Sequence, residues 1–535
     1  MRGLPIIVII LTMGYQIEQR VKGKVYVYEV ESYWDKEKKQ ARQRRTYIGR
    51  KDEETGVIQA TKRISLPRNS LSFGNVYLVK KIVEKLGLAT TLKEVFPDEY
   101  EKYVYLAMYK ILTGGSFYLY SYWREDSFLP LSASIDSQRI SEILEKLGEN
   151  ENDIERFFAK WIELNESKTA VVFDITSISS YSERNEFLEY GYNRDSEDLE
   201  QINLGVISKE LNNSLHIPLA YRIYPGSIKD VTTLHNILEL MESYKMALSI
   251  CVLDRGFFSQ QNIKEIHQKR INYLISVPFS TLLAQDAVSA HYHELQSPLN
   301  AFSFRNTIYF HYSKRISLHN SRCTIHIYLD KERKAREENK LLSVISNIEA
   351  AFEIKSFKNK HHAEQFIFET LKSKKKFFRI RKHKGRFIIS RNQQAIEAQI
   401  KLCGVFVMLT NQALDKVHAL ELYRSKDGTE KIFRSFKNDI CVRRTRTKSS
   451  TTMKGSLFIN FIATIILSYV TQVMKQHHLF KHFTKHEMFM CLAKLKVFTL
   501  ANNQNLLAEV SKKQREIFSA FNLKKLDPSY NLAGF

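Results

Sequence analysis

Two short apolar runs, VVFDITS and CVLDRG, each hold one aspartate, Asp174 and Asp254. Runs this apolar read as strands covered on both faces, the mark of a sheet with helices packed against it. Burying a carboxylate there costs free energy unless its charge is paired or holds a cation. The surrounding sequence alternates strand and helix patterns. QINLGVIS and PLAYRIYPG follow the first run as strands, and DVTTLHNILELMESYK is a helix with Asp230 at its cap. After the second run come the helix SQQNIKEIHQKR and the strand NYLISVP. Three strands, a helix, a strand, a helix and a strand make residues 168–280 a mixed α/β core. Each aspartate taken singly also has a structural reading, as an ion-paired or capping residue, and Arg255 adjoins Asp254.

Upstream, residues 15–65 read as a small β unit. KVYVYEVESYW alternates and RQRRTYIGR follows it, and two basic strands with aromatics suit either a nucleic-acid backbone or a solvated sheet. Over 66–165 the period becomes helical. NVYLVKKIVEKLGL stops at Gly87, YVYLAMYKILTGG at Gly114–Gly115, and SQRISEILEKLG runs from an N-cap-like Ser137 to Gly148. DIERFFAKWIEL completes a compact helical domain, expected to bind DNA.

Downstream, residues 281–408 are expected to be a largely β insertion. NTIYFHYSK and RCTIHIYLD should pair, and a helix should run from Lys331 to about Phe352. In KSKKKFFRIRKHKGRFIIS, Lys374, Lys375, Lys376, Arg379 and Arg381 interleave with Phe377, Phe378 and Phe387. Such a stretch either tracks phosphates and offers stacking faces, or forms a hairpin whose alternate aromatics face a core. The basic balance of the chain favours the first. GVFVMLTN is a buried strand leading into residues 409–475, a second part of the core, and 476–535 is a C-terminal helical region.

The chain has 81 Lys and Arg against 58 Asp and Glu, a net charge of +23, which points to a polyanionic partner, nucleic acid ahead of an anionic membrane. The apolar stretch from Leu4 to Met13 is too short to span a bilayer and has no small-residue cleavage site after it, so translation is expected to begin near Met13. The run from Ser456 to Val470 is short and holds Asn460, and reads as a buried core helix, so no membrane association is expected. Five widely spaced cysteines form neither a zinc pattern nor a disulfide framework, and a reducing compartment fits. The pairs His361–His362 and His477–His478 lack cysteine partners and read as surface or core residues.

A third carboxylate lies in YRSKDGTEKIFRSFK. At about 100° per residue, Tyr423, Lys426, Glu430 and Lys437 share one helical stripe, with Ile432 and Phe436 opposite. Alternatively DGTE is a capping box that starts a new helix at Asp427, since Gly428 within a helix costs about 1 kcal/mol. Both readings stay open on geometry. Three carboxylates brought together suit magnesium or manganese, and two such ions about 4 Å apart stabilise an in-line phosphoryl transfer. The segment CVRRTRTKSSTTMKG, with Arg443 and Arg444, is either a DNA-contacting loop or a solvated linker, and its place after the glutamate helix favours contact.

These motifs resemble the DDE-type insertion-sequence transposases, whose signature spaces Tyr, Arg, Glu and Lys as Tyr423, Lys426, Glu430 and Lys437 are spaced here. Lys426 stands where that family has arginine, which keeps the charge and loses the bidentate fork. VVFDITS, YPGSIKDVTTL, VLDRGFFSQQNI and GVFVMLTN are similar to its other conserved stretches, and the resemblance covers nearly the whole chain. It implies an RNase H-like mixed-sheet core interrupted by a largely β insertion, with Asp174, Asp254 and Glu430 as catalytic ligands of two Mg2+ or Mn2+ ions. It implies DNA contacts from Tyr423, Lys426 and Lys437 near the cleaved end and from the basic insertion stretch; Arg255, Arg443 and Arg444 are further expected DNA contacts. It further implies cleavage of double-stranded DNA at terminal inverted repeats, joining of 3′ ends to target DNA, a homodimer on the DNA, and work in the cytoplasm at a prokaryotic nucleoid. The competing readings are a non-catalytic DNA-binding relative and an RNase H-like nuclease without strand transfer.

Overall fold

The computed structural model describes residues 14–535 except 36–37, 60–66, 166–169, 183–184, 213–214, 245, 247–249, 356, 372–375, 384–385, 524–525, 527–531 and 533–535. The run from Leu4 to Met13, Lys374 and Lys375 therefore lie outside the described residues. The chain divides into two compact units, residues 1–70 with 498–506, and residues 71–497 with 507–535.

In the first unit, alternation produces an antiparallel sheet in the order β1 (Tyr15–Val21), β2 (Lys24–Asp35), β3 (Gln40–Lys51) and β4 (Ile58–Gln59). Val25, Val27 and Val30 of β2 are buried at every second or third position, so one face of the inner half of the sheet is covered. A further strand, β5 (Pro67–Ser72), leads out of this region.

The second unit is built on a ten-stranded sheet. Its centre comprises β6 (Ala170–Ser180), β7 (Gln201–Asn212), β8 (Leu215–Pro225), β9 (Ile250–Leu253) and β10 (Tyr273–Val277). Their spatial order is β8-β7-β6-β9-β10. The β6–β7 and β7–β8 pairs are antiparallel, whereas β6–β9 and β9–β10 are parallel. β9 and β10 are buried at every residue, as their unbroken apolar runs require.

Residues 281–408 depart from a largely β insertion. β11 (Ala301–Phe304), β12 (Thr307–Leu318) and β13 (Ser321–Asp330) extend the central sheet, because β13 pairs with β16 (Val405–Thr410) and β16 with β10. Helices Leu282–Leu295, Lys331–Glu353, Lys360–Leu371 and Gln393–Leu402 occupy more of the segment than its strands do. The longest is capped by Asp330, which accepts from the Arg333 N–H, and carries an Arg333–Glu337 pair one turn apart.

The hairpin β14 (Phe378–His383) and β15 (Arg386–Arg391) packs on that helix. Phe377 and Phe378 are buried against Leu341, Ile345, Ile348 and Phe352 and offer no stacking face to a nucleic acid. That part of the expectation is corrected, because burial of two rings outweighs their exposure. Lys376, Arg379 and Arg381 remain exposed.

The helices of residues 74–164 share one apolar core with the central sheet and the helix Ser450–Gln476. Phe458 of that helix meets Phe96 and Phe157 edge-on, and the Trp161 indole N–H donates to the Pro218 carbonyl (3.0 Å). This helix is long and apolar enough to cross a membrane, yet 83% of its most apolar window is buried within the protein. Gly148 does not end the helix Ser137–Glu149 as its sequence position suggests, and the cap is Asp136, accepting from Arg139 N–H (2.7 Å), rather than Ser137. Gly148 lets the helix Ser450–Gln476 approach its backbone, since a Cβ there would collide with the Thr451 carbonyl. β17 (Arg444–Thr445) adds to the far end of β6, and β18 (Lys496–Leu500) and β19 (Asn505–Leu507) form a separate sheet in the order β19-β18-β5.

Candidate active site

Strand register puts the two aspartates side by side. Parallel pairing of β6 with β9 ends at Phe173 opposite Leu253, so Asp174, midway along β6, and Asp254, just past the carboxyl end of β9, follow side by side. Loops beyond such strand ends are where α/β sheets leave a crevice. Asp254 caps the short turn after β9, accepting from the Arg255 N–H (2.7 Å), and Asp174 accepts from the Ile175 N–H (2.9 Å).

The third carboxylate comes from the helix Lys416–Arg434, which runs unbroken through Asp427 and Gly428. Its cap is Asp415, which accepts from Val417 and His418 N–H groups, so the capping box at Asp427 does not form. Gly428 sits mid-helix because a Cβ there would overlap the imidazole of His216 on β8. The α-helix ends at Arg434 and continues as one π-helical turn, Ser435–Asp439, with Ile440 N–H bonded to the Ser435 carbonyl (3.1 Å). Such turns often mark functional sites.

Asp174, Asp254 and Glu430 line one open cavity of about 700 Å³, together with Lys426, Lys437, Arg194, Asp195, Arg434 and Arg443. Lys426 is buried and its Nζ lies 2.9 Å from Asp254 Oδ1. Burial works against its ammonium, but Asp254, Asp174 and Tyr423 outweigh that and raise its pKa. Burial likewise opposes ionisation of Asp254, yet Lys426 and the Arg255 N–H hold its carboxyl below the ordinary value. Asp174 goes the other way. Burial first, and then the charge of Asp254, push its carboxyl up to about 6 against the pull of Lys426.

The remaining expected contacts are distributed unevenly. Tyr423 does not line the cavity; it stacks on Phe406, ring centroids 5.8 Å apart, and lies under Lys426. The Arg255 side chain is exposed and is not in the cavity wall. Lys437 donates to Asp195 (2.6 Å), and Arg443 and Arg444 both bond Glu197. Arg379 and Arg381 belong to the hairpin, Lys376 precedes it, and none of the three lines the cavity.

Sequence reasoning missed Arg194 and Asp195. Arg194 pairs with Asp230 and donates to Ser177 Oγ (3.1 Å). Asp230 is thereby the first residue of its helix and an ion-pair partner, and the cap position belongs to Lys229. The local signal was Asn193, whose Oδ1 accepts from the N–H groups of Asp195 and Glu197 and folds the loop into a tight turn.

The lining suits a hard divalent cation in its chemistry: its described members include the three carboxylates and no thiolate or imidazole. Asp174, half-buried and with its carboxyl pushed up to about 6, offers a charge that a cation would stabilise. Among the described residues no three His, Cys, Asp or Glu side chains close into one cluster, and the Lys426 ammonium is the cation now paired with Asp254.

No curated protein matches the chain. A protein family described as "Transposase DDE domain" matches residues 166–466. That span is more than half of the 535 residues and takes in both aspartates and the glutamate helix, so the chain belongs to the DDE transposase-domain family and is a transposase.

Proposed function

We propose that this transposase cuts double-stranded DNA at the terminal inverted repeats of its own insertion element and joins the freed 3′ ends to target DNA. The observation that carries the reading is the meeting of Asp174, Asp254 and Glu430, from three distant segments, in one cavity rimmed by cations. The strand order β8-β7-β6-β9-β10, three antiparallel strands followed by two parallel ones, supports an RNase H-like core. The segment 281–408 is then an insertion between the last core strand and the glutamate helix, with Arg379 and Arg381 along the DNA path. Residues 66–165 and 476–535 flank that core, and residues 15–65 form the amino-terminal unit.

Transposases of this family use divalent metals. Asp174, Asp254 and Glu430 are the residues that would hold two Mg2+ or Mn2+ ions, which supply charge stabilisation at the attacking and leaving oxygens. Lys426 keeps Asp254 ionised and so ready as a ligand. Lys437, Arg434 and Arg443 offer donors to phosphate oxygens, and the Asp230 and Ser177 contacts fix Arg194 beside them. In cleavage a water oxygen bonds to phosphorus as the P–O3′ bond breaks. In joining, the 3′ oxygen bonds to a target phosphorus and displaces the target's own 3′ oxygen. Two chains acting on two ends, in the cytoplasm at the nucleoid, complete the proposal.

The test is strand transfer by the full chain, given precut element ends, supercoiled target DNA and Mg2+. Joined products are expected. Nicks without joining would favour a nuclease, and binding without any metal-dependent product would favour a non-catalytic relative.

A further inference from the structure

The outer half of the β2–β3 pair is built differently from the rest of its sheet. β1 covers β2 only as far as Tyr15 opposite Val30 among the described residues, and β4 pairs with β3 only at Arg50 and Lys51. Between those limits β2 and β3 continue as a two-stranded ribbon, from Val30 opposite Arg45 to Asp35 opposite Gln40. Residues 31–34 and 40–46 are all exposed, on both faces. An isolated two-stranded ribbon in water has little to stabilise it, so one this exposed needs another reason to persist.

Its side chains are those of a nucleic-acid contact. Trp34 is 62% exposed and Tyr33 47% exposed, although rings of this size are normally covered. Tyr33 lies opposite Arg42, and Glu31 opposite Arg44, so both arginines share a face with the tyrosine. Arg45 lies on the other face, as does Trp34. Only Arg42 of the three has an acidic partner among the described residues, Asp35 at 3.3 Å. Antiparallel strands lie about 4.8 Å apart and five residues reach about 17 Å. A major groove about 12 Å wide and about 8.5 Å deep admits such a ribbon.

We propose that this ribbon is a DNA-binding arm that enters a groove of duplex DNA, with Arg42, Arg44 and Arg45 on phosphates or base edges and Trp34 and Tyr33 against the sugar–phosphate wall. The choice of DNA as partner rests on the transposase reading, while the placement on the ribbon does not depend on the cavity or its carboxylates. It moves duplex contact to the amino-terminal β unit, in addition to any made by the helical residues 66–165.

The test is fluorescence anisotropy of a labelled random-sequence 30-bp duplex with the full chain, across a salt series. The variant Arg42→Thr/Arg44→Thr/Arg45→Thr removes the charges and keeps residues suited to a strand. Its affinity is expected to fall at least tenfold, and the slope of log K against log salt to shrink by about 2 to 3, about 0.9 per lost phosphate contact. Replacing the same three residues by lysine should restore most of the slope, which a folding defect would not allow. Unchanged affinity and slope in the threonine variant would overturn the arm. A wild-type chain without duplex affinity would contradict the transposase reading as well.

Discussion

Gly428 decides whether the glutamate helix can exist as one piece. It sits one residue after the exposed Asp427 and two before Glu430, with the His216 ring against it. His216 is buried, its Nδ1 lies 3.4 Å from Ser208 Oγ, and that hydroxyl is 2.7 Å from Thr429 Oγ1. Helix, β7 and β8 thus lock together at this point. Gly428→Ala gains intrinsic helix propensity but must push the ring aside. The expected net effect is a loss of about 1–3 kcal/mol, read as a lower denaturation midpoint, with reduced cleavage because Glu430 moves with the helix. A midpoint equal to wild type or higher would show that the contact has room to yield. From the sequence, the glycine left a continuous helix and a break both open, because its partner lies on a strand more than two hundred residues earlier. Asp174 was readable because an acid in an apolar run is conspicuous by itself, whereas its raised pKa depends on neighbours that only the fold supplies.

The loop around residues 192–197 shows what an irregular element contributes. It carries no period of 2 or 3.6, and its mixed charges read as ordinary solvated sequence, so its place in the site was not legible. In the structure Asp195 holds Lys437, and Glu197 holds Arg443 and Arg444. Three cations expected to meet DNA phosphates are thus paired with two carboxylates of one loop. Lys437 is only 10% exposed, so its ion pair is shielded from solvent and salt. DNA must compete with Asp195 for this ammonium. Asp195→Asn is therefore expected to tighten duplex binding two- to tenfold and to steepen the salt slope by about one phosphate contact, as measured by anisotropy. Equal or weaker binding would mean that Lys437 does not meet phosphate.

For the molecule as a whole, the strands and helices of the core were legible from 168 to 280, because apolar runs and amphipathic stretches alternate there without ambiguity. Their spatial order was not, since it depends on pairings across many residues. Nor was it evident that β11–β13 would extend the same sheet through β16, which makes residues 301–330 part of the scaffold that carries the site. The consequence is one site assembled from β6, β9 and the helix Lys416–Arg434, and groups that act as one unit lose function together. The most direct measurement is Mg2+-dependent cleavage of end-bearing DNA by Asp174→Asn, Asp254→Asn, Glu430→Gln and the three double variants, with DNA binding followed in parallel. Each single variant should lose about a thousandfold or more, with binding retained and the doubles little worse than the singles. Substantial metal-dependent cleavage in any single variant, or losses that multiply in the doubles, would contradict a shared three-carboxylate site.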